Sequence, residues 1–358
     1  MLNRLLSHDL PRSRWLAIAL LLIVIGLAVA PFAFPGSKSL NVAAKMLVFI
    51  LLVASYDLLL GYTGIVSFAH TMFFGIGAYG VAVASTRMGE GWPALAVGVA
   101  GALLISLVLS LVIGLFSLRV KAIFYAMITL AVASAFQTLA SQLSDITGGE
   151  DGLSFKNPTL FSPSFEPFEN AVLGITVDGK IFSYYALFFV VLGLFLVLLR
   201  IVNSPFGRVL QAIRENDFRA EALGYRTVVF RTLSNVLAAL FATLAGALLA
   251  LWLRYNGPDT TLSFEIMLDT LLIVVIGGMG TMYGAVIGGA LFVFAQSYLQ
   301  DLMGWISGSL QAVPLLAALF SPDRWLLWLG VLFVLSVYYF PAGVVGRLRA
   351  RALARSAR

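Results

Sequence analysis

Ten apolar stretches of span length, joined by short polar connections, constrain this chain more than any motif in it. They run roughly over 15–34, 42–60, 65–86, 93–117, 121–142, 182–202, 229–253, 264–279, 283–303 and 323–341. A hydrocarbon core about 30 Å thick needs roughly 20 apolar residues at 1.5 Å rise. Unpaired backbone groups in lipid cost several kcal/mol, so helices are the form in which such runs cross. The runs are of helix length and do not alternate with period two over about ten residues, which argues against a membrane β-barrel. Composition agrees, at 60% hydrophobic and 11% charged with mean hydropathy +0.97 over 358 residues. The expectation is an all-α, polytopic transmembrane helical bundle forming a single membrane domain over 1–358.

Two connections are tight enough to be either loops or breaks within re-entrant helices: GYTG at 61–64 and GGMGT at 277–281. The span count therefore lies between eight and ten. Gly61, Gly64, Gly277, Gly278 and Gly280 are the candidate helix breaks, because glycine permits φ > 0 and close helix approach. Removing a hairpin leaves parity unchanged, so both termini share one side. With that side inside, 16 of the 23 Lys and Arg face the cytoplasm: Arg4, Arg12 and Arg14, Arg119 and Lys121, six arginines between 200 and 231, and five in the tail 342–358. This bias predicts both termini in the cytoplasm. Arg4, Arg12 and Arg14 before an apolar run also resemble a signal peptide with Ala28-Val29-Ala30 as cleavage site. The run's reach to Phe34 and the spans that follow favour a retained first helix.

Several chemistries are excluded. There is no cysteine, so neither a disulfide nor a thiolate site is possible, and His8 and His70 alone cannot build HExxH. We expect no metal site. The net charge of +6 comes from arginines beside the spans, so it reads as topology and not as a nucleic-acid surface. The expected surrounding partner is the lipid bilayer.

Two extramembrane segments stand out. Residues 143–181 form an external loop rich in Gly, Pro, Asn and Asp with no run long enough to span; a loop of this length suits docking or gating. Residues 200–231, RIVNSPFGRVLQAIRENDFRAEALGYRTVVFR, are the long charge-dense block of the cytoplasmic side. Phe206, Val209, Leu210 and Ile213 recur at helical spacing, Pro205 suits a first turn, and Gly224 suits a C-cap after a second short helix. Arg208, Arg214, Glu215, Asn216, Arg219 and Glu221 supply charge and polarity of both kinds. An interfacial anchor favours Lys/Arg-rich faces, whereas mixed signs suit a complementary protein partner.

Polar residues within the spans are the candidates for a solute path. Asp57 and Asp269 would each cost about 2.5–3.5 kcal/mol at a helix centre unless paired or hydrated, so each marks either a path or a structural hydrogen bond. Thr63, Ser67 and His70 follow the first break. Ser134, Gln137, Thr138 and Ser141 recur at three- and four-residue spacing and predict a polar stripe facing the bundle interior, which Asn235 and Gln296 could join. Ser67 and His70, three apart, are also the sole nucleophile–base arrangement suggestive of an enzyme, and lack an orienting acid. MLVFILLVASYDLLLGYTG and FEIMLDTLLIVVIGGMGTMYG both carry an aspartate ahead of a glycine break, a faint internal repeat of the kind transporters use.

Four blocks in order carry a resemblance: GYTGIVSFAHTMFFGIGAYG at 61–80, TGGEDGL at 147–153, GRVLQAIRENDFRAEALG at 207–224 and GGMGTMYGAVIGGALF at 277–292. The chain from about 41 to 341 resembles permeases of branched-chain amino acid ABC importers, closest to the M-type subunit, with urea-type permeases similar. The resemblance implies an importer subunit of the bacterial inner membrane. Its implied partners are an H-type permease, two ATP-binding subunits and a periplasmic solute-binding protein. It further implies that 200–231 couples to the ATPase. No GxxxxGK[ST] is present, since Lys180 follows Gly179 but Ile181 stands where the motif needs Ser or Thr, so ATP and Mg are expected on partner subunits, with no cofactor on this chain and no enzymatic activity of its own. The alternatives are a urea or short-amide importer and, in a different class, an ion-coupled secondary transporter.

Overall fold

The computed structural model describes residues 13–34, 36–117, 122–162, 165, 178–309, 318–340 and 343–348. Arg4, His8, Arg12, Arg119, Lys121, much of the loop 143–181 and most of the tail 342–358 lie outside them. Each of the ten apolar stretches is carried by a helix: α1 Arg14–Ala33, α2 Ser37–Thr63, α3 His70–Met88, α4 Trp92–Ser117, α5 Ala122–Gln142, α6 Gly179–Val202, then, past two short helices α7 Pro205–Glu215 and α8 Asp217–Ala222, α9 Thr227–Leu253, α10 Phe264–Gly277, α11 Met282–Ser309 and α12 Trp325–Tyr339. Among the described residues nine helical segments are long and apolar enough to cross a membrane; α3, which carries His70 and Arg87, is the apolar stretch that falls short on hydropathy.

The helix α2 is the axis of the bundle. Its membrane-length window is 89% buried, against 22% for α1 and α5 and 28% for α4, so the latter three form the rim. One side of α2 packs on α9, which packs in turn on α3 and α4; another side packs on α10 and α11. Small residues set these distances: Gly77 of α3 lies on the Thr243 carbonyl of α9, and Gly246 of α9 on the Phe74 carbonyl of α3. Without a hydrophobic force between helices in lipid, such backbone approach and interhelical hydrogen bonds are what hold them. Asn235 Nδ2 donates to the Ser110 carbonyl at 2.8 Å, and Thr243 Oγ1 bonds Ser106 Oγ at 2.6 Å, both joining α9 to α4. Asn235 is thus a packing residue and does not join a polar stripe on α5.

The first helix is built into the bundle. Pro31 has no N–H to offer the Leu27 carbonyl four residues back, and the hydroxyl of Tyr184 donates to that oxygen at 2.6 Å. Tyr185 does the same for Ala28 at 2.8 Å. A helix break in lipid is tolerated when a neighbour satisfies the freed group.

The described connections sort onto two ends of the bundle, alternating as parity requires. At one end, called the junction end below, lie 61–69, 203–226 and 277–281, next to the short helix at 343–348. At the other, the distal end, β1 Leu153–Ser154 pairs antiparallel with β2 Tyr255–Asn256. The described part of the loop 143–181 caps this end: Asn157 Nδ2 donates to the Leu251 carbonyl at 2.6 Å, Tyr255 donates its hydroxyl to Asp151 O at 3.0 Å, and Arg87 bonds the Asp145 carbonyl. Lys156 pairs with Glu90 at 2.9 Å, a hydrogen bond that holds its ammonium pKa above the ordinary lysine value. The helix α10 rises only about 21 Å over its 14 residues, short of the hydrocarbon thickness. A separate helical turn, Pro258–Thr261, precedes it, so this span is interrupted at its distal end as well as at GGMGT.

Candidate functional site

The two glycine breaks meet. Asp57 stands six residues before the end of α2 and is 1% exposed. Its Oδ1 accepts a hydrogen bond from the Gly280 amide at 2.9 Å, tying the end of α2 to the 277–281 break. A carboxylate accepting a backbone N–H is the charge-assisted kind of bond, about 1.5–3 kcal/mol, and it offsets part of the cost of the buried charge. Gly61 lies in the contact: a β-carbon there would overlap the Asp57 carboxylate and the Gly280 amide. Gly280 itself has φ +78°, a conformation that a side chain strains.

Arg214 joins this pair to the surface helices. Its guanidinium donates through Nη1 to the Gly61 carbonyl, and the same group lies beside Gly280. Gly64, the left-handed cap that ends α2, packs against the Arg214 side chain stem. One arginine on α7 therefore touches both breaks, with the Asp57 carboxylate behind them.

The local sequence explains why Arg214 is held in place. Pro205 occupies the first turn of α7, and Leu210 and Ile213 are buried beneath it, so the helix rests on α2, α6 and α9 along one apolar edge. Asn216 ends α7 and caps α8, its Oδ1 accepting from the Arg219 amide at 2.9 Å. Glu221 Oε1 accepts from the Thr227 hydroxyl at 2.7 Å, and Asp217 pairs with Arg231 at 3.1 Å, which fastens α8 to the start of α9. Gly224, at φ +91°, donates its N–H to Glu221 O at 2.8 Å and closes the helix end. All seven polar and glycine positions are exposed; Arg214, Asn216, Glu221 and Gly224 also serve internal geometry through the bonds just given, alongside Arg208, Glu215 and Arg219. Phe218 and Leu223, 83% and 74% exposed, sit among them with no cover among the described residues.

The other predicted residues are dispersed. Thr63 turns its hydroxyl onto the Leu59 carbonyl. Ser67 Oγ accepts from the Ala69 amide at 3.4 Å in the turn before α3, and His70 Nε2 lies 2.8 Å from Ser55 Oγ on α2. The pairing of Ser67 with His70 that an enzyme would need is not formed; the histidine is a helix-to-helix tie. Ser134 and Thr138 are exposed and Gln137 and Ser141 only half-buried, so the polar stripe of α5 faces away from this chain's bundle, contrary to expectation. The inward edge of α5 is instead Tyr125, Thr129, Ala133 and Ala140; Thr138 and Ser141 satisfy their hydroxyls on α5's own carbonyls, and nothing pulls them inward. Asp269 lies near the distal end, bonded to Gln296 at 3.1 Å. The two aspartates of the faint repeat are accordingly not equivalent: Asp57 is at its break and Asp269 is far from its own. Lys45, a cation eight residues into α2, joins Asp269 through Gln296 and is a functional candidate that a charge inside an apolar run signals.

A many-helix bundle with two glycine-broken hairpins, locked together and reached by one charged surface helix pair, is the architecture of a polytopic membrane protein. The chain belongs to the branched-chain amino acid transport system permease component family, whose model matches residues 39–337. It is 29% identical over 298 residues to the high-affinity branched-chain amino acid transport system permease protein LivM of Salmonella typhimurium, covering 78% of this chain and 68% of that protein. A probable branched-chain amino acid transport permease protein LivM of Methanocaldococcus jannaschii is 26% identical over 250 residues, 68% of this chain and 67% of the relative. The LivH permease of the same kind of system in Escherichia coli is 26% identical over 256 residues, 69% of this chain and 80% of the relative.

Proposed function

We propose that this chain is the M-type permease subunit of an ABC importer that carries branched-chain amino acids across the bacterial inner membrane. The power is ATP hydrolysis on two partner subunits, which hold the nucleotide and Mg. A periplasmic solute-binding protein delivers the solute to the distal end, and 200–231 lies in the cytoplasm as the coupling segment. The observation that carries the coupling is Arg214: a push on α7 or α8 reaches the Gly61 carbonyl and, through Asp57 and Gly280, the second break. Exposed Phe218 and Leu223, on a segment that also exposes Arg208, Glu215, Arg219 and Glu221, suit a cleft on a partner, where an apolar centre with charged neighbours gives affinity and register. The outward polar stripe of α5, costly against lipid, supports a path at the boundary with a second, H-type permease; similarity to both LivM and LivH is consistent with such a pair.

The test is uptake into vesicles holding the assembled complex, with leucine, other amino acids and urea as solutes. Leucine uptake that needs ATP is the expected result; accumulation by this chain alone under an ion gradient, or preference for urea, overturns the reading. Glu215→Arg and Arg214→Glu are each expected to lower ATP-driven uptake at least tenfold while the chain still inserts. Normal uptake in both removes the coupling assignment.

A further inference from the structure

At the distal end a cavity of about 720 Å³ opens between α2, α9, α10 and α11, within the roughly 300–1,000 Å³ typical of small-molecule sites. Its lining is mixed. Val42, Phe49, Leu249 and Ile266 supply apolar surface and Lys45, Gln296 and Asp269 supply polar groups, with Lys45 on the same face of α2 as Val42 and Phe49 and its Nζ 5.4 Å from the Phe49 ring centroid. Lys45 lies about 12 Å of helix below Ser37 at 1.5 Å per residue, deep enough that its charge needs a partner. Yet no direct ion pair joins Lys45 to Asp269 among the described residues. Gln296 stands between them, accepting from Lys45 Nζ at 2.9 Å and donating to Asp269 Oδ2 at 3.1 Å.

An ammonium has three donors and a carboxylate about four acceptor positions, so the glutamine uses one of each and holds the two charges one amide apart. A fixed cation and a fixed anion at that spacing, with apolar side chains beside each on the same helices, match a molecule bearing a carboxylate, an ammonium and an aliphatic side chain on one carbon. At the mouth Lys38 is already committed to Asp301, and Trp252 Nε1 bonds Asn41 Oδ1 at 3.2 Å, which leaves Lys45 as the cation of the inner wall.

We propose that this cavity is an amino-acid site within the single chain: the solute carboxylate on Lys45, its ammonium on Asp269, and its side chain against Phe49, Leu249 and Ile266. The choice of an amino acid rests on the transport reading above; the charge arrangement does not. A phospholipid headgroup with an amine and a phosphate offers similar chemistry, and the experiment separates the two.

The full-length chain is placed in nanodiscs of phosphatidylglycerol and equilibrium binding of radiolabelled leucine is measured. Valine and isoleucine should compete, whereas leucinamide, lacking the carboxylate, and 4-methylpentanoate, lacking the ammonium, should compete at least tenfold more weakly. Lys45→Met should weaken leucine at least tenfold and erase the disadvantage of leucinamide, and Asp269→Asn should do the same for 4-methylpentanoate. That swap of analogue preference is a readout that a purely structural Lys–Gln–Asp network does not give. Equal competition by both analogues in the wild type overturns the proposal even if the variants do not fold. So does leucine binding that phosphatidylethanolamine in the disc abolishes, which would assign the cavity to lipid. Failure of ATP-driven uptake in the wild-type complex would sink the transport reading and leave this binding result standing.

Discussion

Arg214 and Glu215 are neighbours on α7 that predict different failures. Arg214 spans from the surface helix to a buried glycine carbonyl, and a hydrogen bond from a charged donor contributes about 1.5–3 kcal/mol. Arg214→Ala should lower the thermal midpoint of the purified chain by several degrees, with Arg214→Lys intermediate because one ammonium replaces a fixed fork. Glu215→Ala, at an exposed position, should stay within about 0.5 kcal/mol of the parent. Equal midpoints for the two alanine variants would remove Arg214 from the junction. Behind it, Asp57→Ala strips the acceptor from the Gly280 amide and should cost about 2–3 kcal/mol, while Asp57→Asn keeps an oxygen there and should cost less. Of this site the sequence showed the ingredients: an aspartate near a glycine break and a charged cytoplasmic block. It did not show that they touch, because Asp57 and Gly280 are 223 residues apart and Arg214 and Gly61 are 153 apart. Periodicity reports faces of one helix and carries no information about which helix lies opposite.

Elements were far more legible than contacts. All ten apolar stretches became helices, since length and hydropathy are set by the bilayer and need no tertiary knowledge. The orientation of the α5 stripe did not follow from its spacing, because a polar stripe states that something polar is near without saying whether it belongs to this chain. The close approach of the two breaks makes a test at this scale. Gly61→Ala puts a methyl where a backbone amide and a buried carboxylate already stand, and neither has a flexible end that can retreat. Overpacking of this kind costs about 1–3 kcal/mol, and it should also part the breaks and abolish uptake. Gly26→Ala in α1 is the control: nothing lies within 4 Å of the new atom, so stability should hold or rise slightly. On the neighbouring surface pair, Phe218→Ala and Leu223→Ser remove exposed side chains, so the purified chain should melt as before. Co-purification of the proposed ATP-binding subunits should nevertheless fall at least tenfold, as the loss of an interface anchor does.

At the scale of the whole molecule the described connections lie at one of two ends, and the charge bias along the sequence predicts which of them is cytoplasmic. The two sources are independent: one is packing, the other is the membrane's preference for Lys and Arg on the cytoplasmic side. Absence of cysteine makes their agreement measurable, because any introduced thiol is the only one present. Phe218→Cys places a thiol at the junction end at a side chain 83% exposed, and Lys156→Cys places one at the distal end at a side chain 80% exposed. A maleimide that cannot cross the bilayer should label Cys at 156 in right-side-out vesicles and Cys at 218 only in inverted ones. Labelling of both from the same side would contradict the alternation of the helices. The reversed pattern would leave the fold intact and turn the permease around, placing Arg214 and the two breaks at the outer face, where no ATP-driven partner could reach them.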